Sequence, residues 1–408
     1  MNLTAVALNA YRNVVRQVHR SAAALLAVAF GTTAMILAAG FIDSNLRFGR
    51  DNTIQSQLGH LQVMRPGFLE RGRSDPRAYL LPAAAAELRR LDTLPGLKVV
   101  APRLMISGLA SSGETTLSFI GEGVDPAAEL VMSSALRFPA GRNLAAGESN
   151  TAVVGQGLAR NLDLTVGDDL VLIANTETGG ISAVEARVVG VFESITKAYD
   201  DVALRIPIAL ARTLMRVDGE HVRLVLLERT DDTAASVERV RAALPAQHYQ
   251  VVPWMDLADF YKKTAALFER QVRVIHVIIA VIIVLAISNT MTMSVIQRIS
   301  EIGTMMALGN RRRDIVALFI VEGITLGVIG TLAGLVLGVV LAVLISLIGI
   351  PMPPGPGMSW SYRAGIALSA QNLVTAGLVA LLTTAFASLF PAWKASRLAI
   401  VDALRTRQ

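Results

Sequence analysis

Four long apolar runs constrain this 408-residue chain more than any other feature of it. The first, Ser21 to Ile42, has 22 residues and no charge. At about 1.5 Å of rise per residue, such a run crosses a hydrocarbon core of roughly 30 Å as a single helix. A secretory signal core is shorter, about 7–15 residues, so Leu37-Ala38-Ala39-Gly40 reads as part of a span and not as a cleavage site. Further runs cover 274–295, 315–350 and 373–390. The third is longer than a bilayer needs and should tilt or project. Pro351-Met352-Pro353-Pro354-Gly355-Pro356-Gly357 ends it, because proline lacks the amide donor and its ring blocks the next turn. The expected fold class is an α-helical membrane protein with four transmembrane helices. A large mixed α/β extracytoplasmic domain, residues 43–273, lies between the first and second.

Basic residues in the short segments orient the spans. Residues 1–20, read as a cytoplasmic amphipathic segment, carry Arg12, Arg16 and Arg20. The 296–314 connection carries Arg298, Arg311, Arg312 and Arg313, and the 391–408 tail carries Lys394, Arg397, Arg405 and Arg407. The 351–372 connection has Arg363 alone. Both termini and the 296–314 loop are therefore expected in the cytoplasm. The large insert holds 26 basic and 28 acidic residues, so the net charge of +6 is largely a topology signal and not a nucleic-acid footprint.

The insert alternates short strand-like stretches (60–64, 117–121, 151–154, 170–173, 186–192, 222–227) with helical patterns at 83–91, 156–162, 208–217 and 233–244. Nothing in it spells catalysis. The chain has no cysteine and five scattered histidines, which removes thiolate chemistry and leaves no metal-ligand spacing. Asp168-Asp169, Asp200-Asp201 and Asp231-Asp232 stand in turn contexts that aspartate commonly serves. No catalytic, metal or cofactor site is expected in this chain. From Asp256 to Arg273 no proline or glycine intervenes, so a helical stalk should run unbroken into the second span.

Between the second and third spans, Ile302, Met305, Met306 and Gly309 fall at helical spacing, one apolar face of a short helix. Gly309 suits the left-handed position that ends a helix, and Asn310 suits the cap of the next. An apolar face on a short cytoplasmic helix calls for a partner. Glu322 lies two turns inside the third span, where a carboxylate is functional or paired; Arg298 and Arg311 are the expected partners. Gly330, Gly334 and Gly338 form a ridge for close helix packing, either within one chain or between two.

The run Arg298…Glu301-Ile302-Gly303…Ala307-Leu308-Gly309 resembles the coupling-helix signature of FtsX/MacB/LolC-LolE-type ABC permeases. Glu322-Gly323 and the closing Pro391-Ala392-Trp393-Lys394-Ala395-Ser396-Arg397…Val401-Asp402-Ala403-Leu404-Arg405 also fit. So do Gly141-Arg142, Val153-Val154-Gly155, Val166-Gly167-Asp168 and Val188-Val189-Gly190-Val191-Phe192 in the insert. Met306 departs from the family's arginine at that position, which bears on which ATPase docks. The resemblance implies that Glu301, Ile302, Gly303, Met305, Met306, Ala307, Leu308 and Gly309 couple the chain to an ABC ATPase present in two copies. It also implies a second permease chain, identical or homologous, in the bacterial inner membrane. No Gly-Lys dipeptide occurs anywhere, so no P-loop is present, and ATP and magnesium are expected on a separate ATPase polypeptide.

Trp254 and Gly59-His60-Leu61-Gln62-Val63 look most like the lipoprotein-releasing LolC/LolE branch. That branch implies a lipoprotein substrate, a periplasmic carrier and contact with membrane lipid. Ile36, Leu37, Phe41, Phe268, Val274 and Ile278 are then the candidate lipid-facing residues. Two alternatives stay open: a MacB-like efflux permease for periplasmic compounds or peptides, and an FtsX-like scaffold that switches a cell-wall hydrolase.

Overall fold

The computed structural model describes residues 18–397 apart from 73, 84, 177–179, 355–357 and 359. Arg12, Arg16, Arg405, Arg407 and the Val401–Arg405 part of the closing motif lie outside these residues. Four helices among the described residues are long and apolar enough to cross a membrane. They are Val18–Thr53, Asp259–Gln297, Arg312–Ile348 and Ala370–Ser396. The chain divides into two compact units, one drawn from 1–46, 264–351 and 363–408, the other from 47–263 and 352–362.

In the helical unit, small residues decide how closely the helices approach. Gly330, Gly334 and Gly338 are all buried on the third long helix. A Cβ on Gly334 would stand 2.5 Å from the Ala29 carbonyl oxygen of the first helix, and one on Gly330 2.8 Å from Val28 Cβ. The Thr33 hydroxyl donates to the Gly334 carbonyl at 3.0 Å. The ridge therefore packs within this one chain. A second glycine face, Gly323 and Gly327, meets Ser388 and Thr384 of the fourth helix. Lipid tails are as apolar as leucine, so this contact, and not a hydrophobic force, holds the helices together. Ile36 is fully buried against Gly338. It faces another helix and is not a lipid-facing residue, which corrects the expectation for that position.

Among the described residues the large domain is built on ten strands. They are β1 (Leu61–Met64), β2 (Leu97–Ser112), β3 (Thr115–Val124), β4 (Arg137–Gly141), β5 (Thr151–Gly155), β6 (Asp169–Asn175), β7 (Ile181–Glu193), β8 (Ala203–Pro207), β9 (Val222–Leu227) and β10 (Gln250–Pro253). β6 pairs with both β2 and β7, which closes the ring β2-β3-β8-β5-β7-β6. Gly108 permits that closure, because a Cβ there would stand 2.0 Å from the Ile173 carbonyl oxygen on β6. The ring encloses Leu104, Phe119, Val154, Leu172, Val188 and Leu204, with the helix Ile208–Met215 packed on it.

The first half of β2 pairs instead with β9, and β9-β1-β10 extends as a wing. The helix Thr233–Ala243 covers the wing through Val237 and Val240. A third cluster roots the chain entering and leaving the domain. Ile54, on a π-helical turn Ile54–Leu58, shares it with Trp254, Ala258, Val252 and Leu224. The 352–362 loop belongs to this unit too: the Arg137 guanidinium lies 4.6 Å over the Trp360 ring, and Tyr362 stacks on Phe48 at 4.1 Å.

Candidate coupling site

The second long helix ends at Gln297 and a short helix, Ile299–Ala307, begins two residues on. Arg298 is the corner between them, with φ −110° and ψ 18°. Its guanidinium bridges both neighbours, reaching Glu301 at 2.9 Å through Nε and Glu322 at 3.1 Å through Nη1. It also lies 5.9 Å over the ring of buried Phe319. Glu322 is buried, so the third helix and the short helix are tied by a charge pair largely removed from water. Such a pair adds little net stability but makes loss of one partner costly, which suits a joint that must hold its geometry.

The short helix closes with Gly309 at φ +95°. The Asn310 amide donates to Met305 and the Gly309 amide to Met306, the paired pattern of a Schellman ending. Asn310 does not cap the next helix. The cap position is Arg311, whose amide donates to Asp314 at 2.9 Å.

The apolar face read from the spacing points inward. Ile302 is buried among the long helices, with Met305 and Met306 partly buried against the same cluster. Gly303 is buried, whereas Glu301, Thr304, Ala307 and Gly309 are exposed. Leu308 is 81% exposed and is the large apolar side chain this helix offers outward. The reason is geometric: a short helix between two spans has its own bundle on one side, and the longest apolar side chains pack there first.

Of the lipid-facing candidates, Val274 and Ile278 are exposed, on a stripe with Val277, Val281, Ile282 and Leu285. Leu37, Phe41 and Phe268 are half-buried.

Sequence reasoning missed a buried charge cluster in the large domain. Arg103 of β2 and Arg205 of β8 meet Glu122 of β3 and Glu129 of the helix Pro126–Met132. Arg205 also donates to Ser133 Oγ and to the Ser56 carbonyl in the π-helical turn, both at 2.6 Å. Burial pushes the Glu129 carboxyl up, but the two guanidiniums and the Ser133 hydroxyl outweigh it and hold the group below the usual range. The signal was present in Ala203-Leu204-Arg205-Ile206-Pro207, a charge in the middle of a strand buried at every position. Among the described residues no group of three or more His, Asp or Glu is placed to hold a metal.

Residues 21–246 match the MacB-like periplasmic core domain, and residues 273–400 match the FtsX-like permease C-terminal domain. The macrolide export ATP-binding/permease protein MacB of Rhodospirillum rubrum is 28% identical over 96% of this chain and 59% of its own length. The lipoprotein-releasing system transmembrane protein LolC of Xylella fastidiosa is 26% identical over 94% of this chain and 93% of its own. The chain thus spans nearly all of LolC but about three fifths of MacB. The crystal structure of the periplasmic region of MacB from Actinobacillus actinomycetemcomitans aligns over 52% of this chain and 94% of its own, with TM-score 0.36 and 13% identity. Four apolar helices, a closed α/β domain after the first, and both family matches together place this chain in the MacB/LolC/FtsX family of ABC transporter permeases.

Proposed function

We propose that this chain transmits ATP hydrolysis on a separate ABC ATPase to periplasmic work, and that the work is release of lipid-anchored proteins from the inner membrane. The observation that carries the reading is the second long helix. It runs 39 residues from Asp259 to Gln297 without glycine or proline. At 1.5 Å per residue that is about 58 Å. One end adjoins the Arg298 corner and the other reaches the root of the large domain.

On this reading the ATPase presses on Thr304, Ala307 and Leu308. The Schellman ending and the Arg298–Glu322 pair keep the short helix from yielding, so the displacement passes to the second and third helices. ATP and its magnesium would sit on the ATPase, and a second permease chain would complete the assembly. Both termini would be cytoplasmic and the large domain periplasmic, as the arginine distribution favours.

The substrate reading rests on the stripe from Val274 to Leu285. An acyl chain loses about 0.8 kcal/mol for each CH₂ exposed to water, so extraction requires an apolar shelter at bilayer depth. Photocrosslinkers at Phe41 and Ile278 test this directly. Adducts with acylated protein that vanish when the acyl chains are removed support lipoprotein release. Equal matching to MacB favours a second reading, efflux of soluble compounds from the periplasm. Crosslinks confined to the large domain would select it.

A further inference from the structure

The fourth long helix, Ala370–Ser396, presents one face that the bundle leaves uncovered at its C-terminal end. Phe386, Phe390 and Trp393 are 68%, 62% and 50% exposed and follow one another at four- and three-residue steps. Lys394 and Arg397 continue the same face, also exposed. The rotation of the helix is fixed from behind, where Ala387, Ala392 and Ala395 are buried against its neighbours. Arg397 folds back over Trp393, with its guanidinium carbon 3.9 Å from the ring centroid. The helix contains no acidic residue, and among the described residues no carboxylate pairs with Lys394 or Arg397. The face is thus graded along the axis: apolar aromatic rings first, an indole next, then two exposed cations.

We infer that this face binds the headgroup of an anionic phospholipid. The grading matches the lipid part by part. Phe386 and Phe390 lie at acyl depth, Trp393 sits at the headgroup level that indole prefers, and Lys394 and Arg397 meet the phosphate. A zwitterionic lipid offers the same phosphate, but its own quaternary ammonium offsets that charge and repels the two side-chain cations, whereas an anionic headgroup leaves a net negative charge for them. Charge complementarity therefore selects the anionic headgroup over a zwitterionic one. The inference does not depend on which cargo the permease handles.

The test uses the full-length chain in liposomes whose two leaflets carry the same lipid, so the side that the helix end faces does not matter. Bromine-labelled acyl chains quench indole fluorescence on contact. Quenching by brominated phosphatidylglycerol is compared with quenching by brominated phosphatidylcholine at equal mole fraction. The Trp393 share is obtained by difference from Trp393→Phe, which leaves Trp254 and Trp360 in place. Phosphatidylglycerol should occupy the site preferentially, and each charge removed should reduce that preference by roughly fivefold. Lys394→Gln with Arg397→Gln should bring the two lipids to parity. Equal quenching of the unmodified protein by both lipids would overturn the proposal in favour of simple acyl contact. No quenching by either would overturn it in favour of a protein neighbour covering the face.

Discussion

Leu308 gives the sharpest test of the coupling site. Its side chain is 81% exposed at the end of the short helix, immediately before the Gly309 turn. Fully burying a leucine side chain is worth about 1.5–3 kcal/mol, so docking an ATPase over it offers about 1.2–2.4 kcal/mol. Truncation in Leu308→Ala should forfeit about 1–2 kcal/mol of that, a loss of roughly 5–30-fold in affinity. Leu308→Asp should go further and abolish measurable binding, because a carboxylate would be desolvated without a partner. The assay is titration of the purified ATPase onto the chain in nanodiscs, read by biolayer interferometry, with thermal unfolding measured in parallel. Ile302→Ala is the internal control. Ile302 is buried in the bundle, so its truncation should lower thermal stability while the folded fraction keeps its ATPase affinity. Unchanged Kd in both Leu308 variants, with unfolding also unchanged, would refute the assignment of this helix as the docking element.

Gly334→Ala should destabilise the helical unit by about 1–3 kcal/mol in detergent unfolding, because its Cβ meets a backbone oxygen. Gly377→Ala, whose nearest neighbour would be an ordinary 3.8 Å away, should change little, and equal effects would contradict the packing described. Glu129→Gln should cost about 3–5 kcal/mol at neutral pH by leaving buried guanidinium charge uncompensated. Since the folded Glu129 carboxyl lies below its ordinary range, its contribution is present above the ordinary carboxylate pKa and lost as pH falls through the folded one. The Gln variant should therefore show a flatter stability curve in acid. Burial pushes the imidazoles of His60 and His221 down to about 4, so the fold holds both neutral. Stability should fall as pH drops from about 6.5 to about 4, and His221→Gln should make that fall shallower in a fluorescence-detected titration. A cysteine placed at Glu114, in the exposed turn between β2 and β3, should react with an impermeant maleimide in intact spheroplasts. The native chain offers no competing thiol, and labelling only after lysis would reverse the topology.

The spans were legible because a bilayer leaves one solution for a charge-free run of 22 residues, and nothing nearby competes with it. The domain was legible only in part. β1, β5, β6 and β9 show as short apolar runs between turn residues, whereas β2 is broken in sequence by Pro102 and Gly108, yet continues for 16 residues in the fold. Pro102 stays in register opposite Arg223, and Gly108 is the point at which β6 closes the ring. Both act through partners more than 60 residues distant, which no local pattern reports. The same limit applied at the coupling helix. The spacing of Ile302, Met305 and Met306 identified a face, but not that the chain's own bundle already occupies it. Glu322 was readable as a pairing residue because a carboxylate in a span needs a partner, and Arg298 was among the few within reach.

The 352–362 loop changes what counts as the large domain. Trp360 is buried, with its ring under Arg137 of the edge strand β4, and Tyr362 lies flat on Phe48. The domain is therefore a discontinuous piece of chain, stitched from two stretches separated by nearly ninety residues of helix. A fragment cut at 47 and 263 would retain the ring and the wing but lose that last stitch. It would bare one face of Phe48 and remove the Trp360 ring from beside Arg137, leaving the edge strand β4 less covered, where an unprotected sheet is most prone to recruit another copy. Soluble fragments of this domain should thus aggregate more readily than the intact chain unless the 352–362 stretch is grafted back.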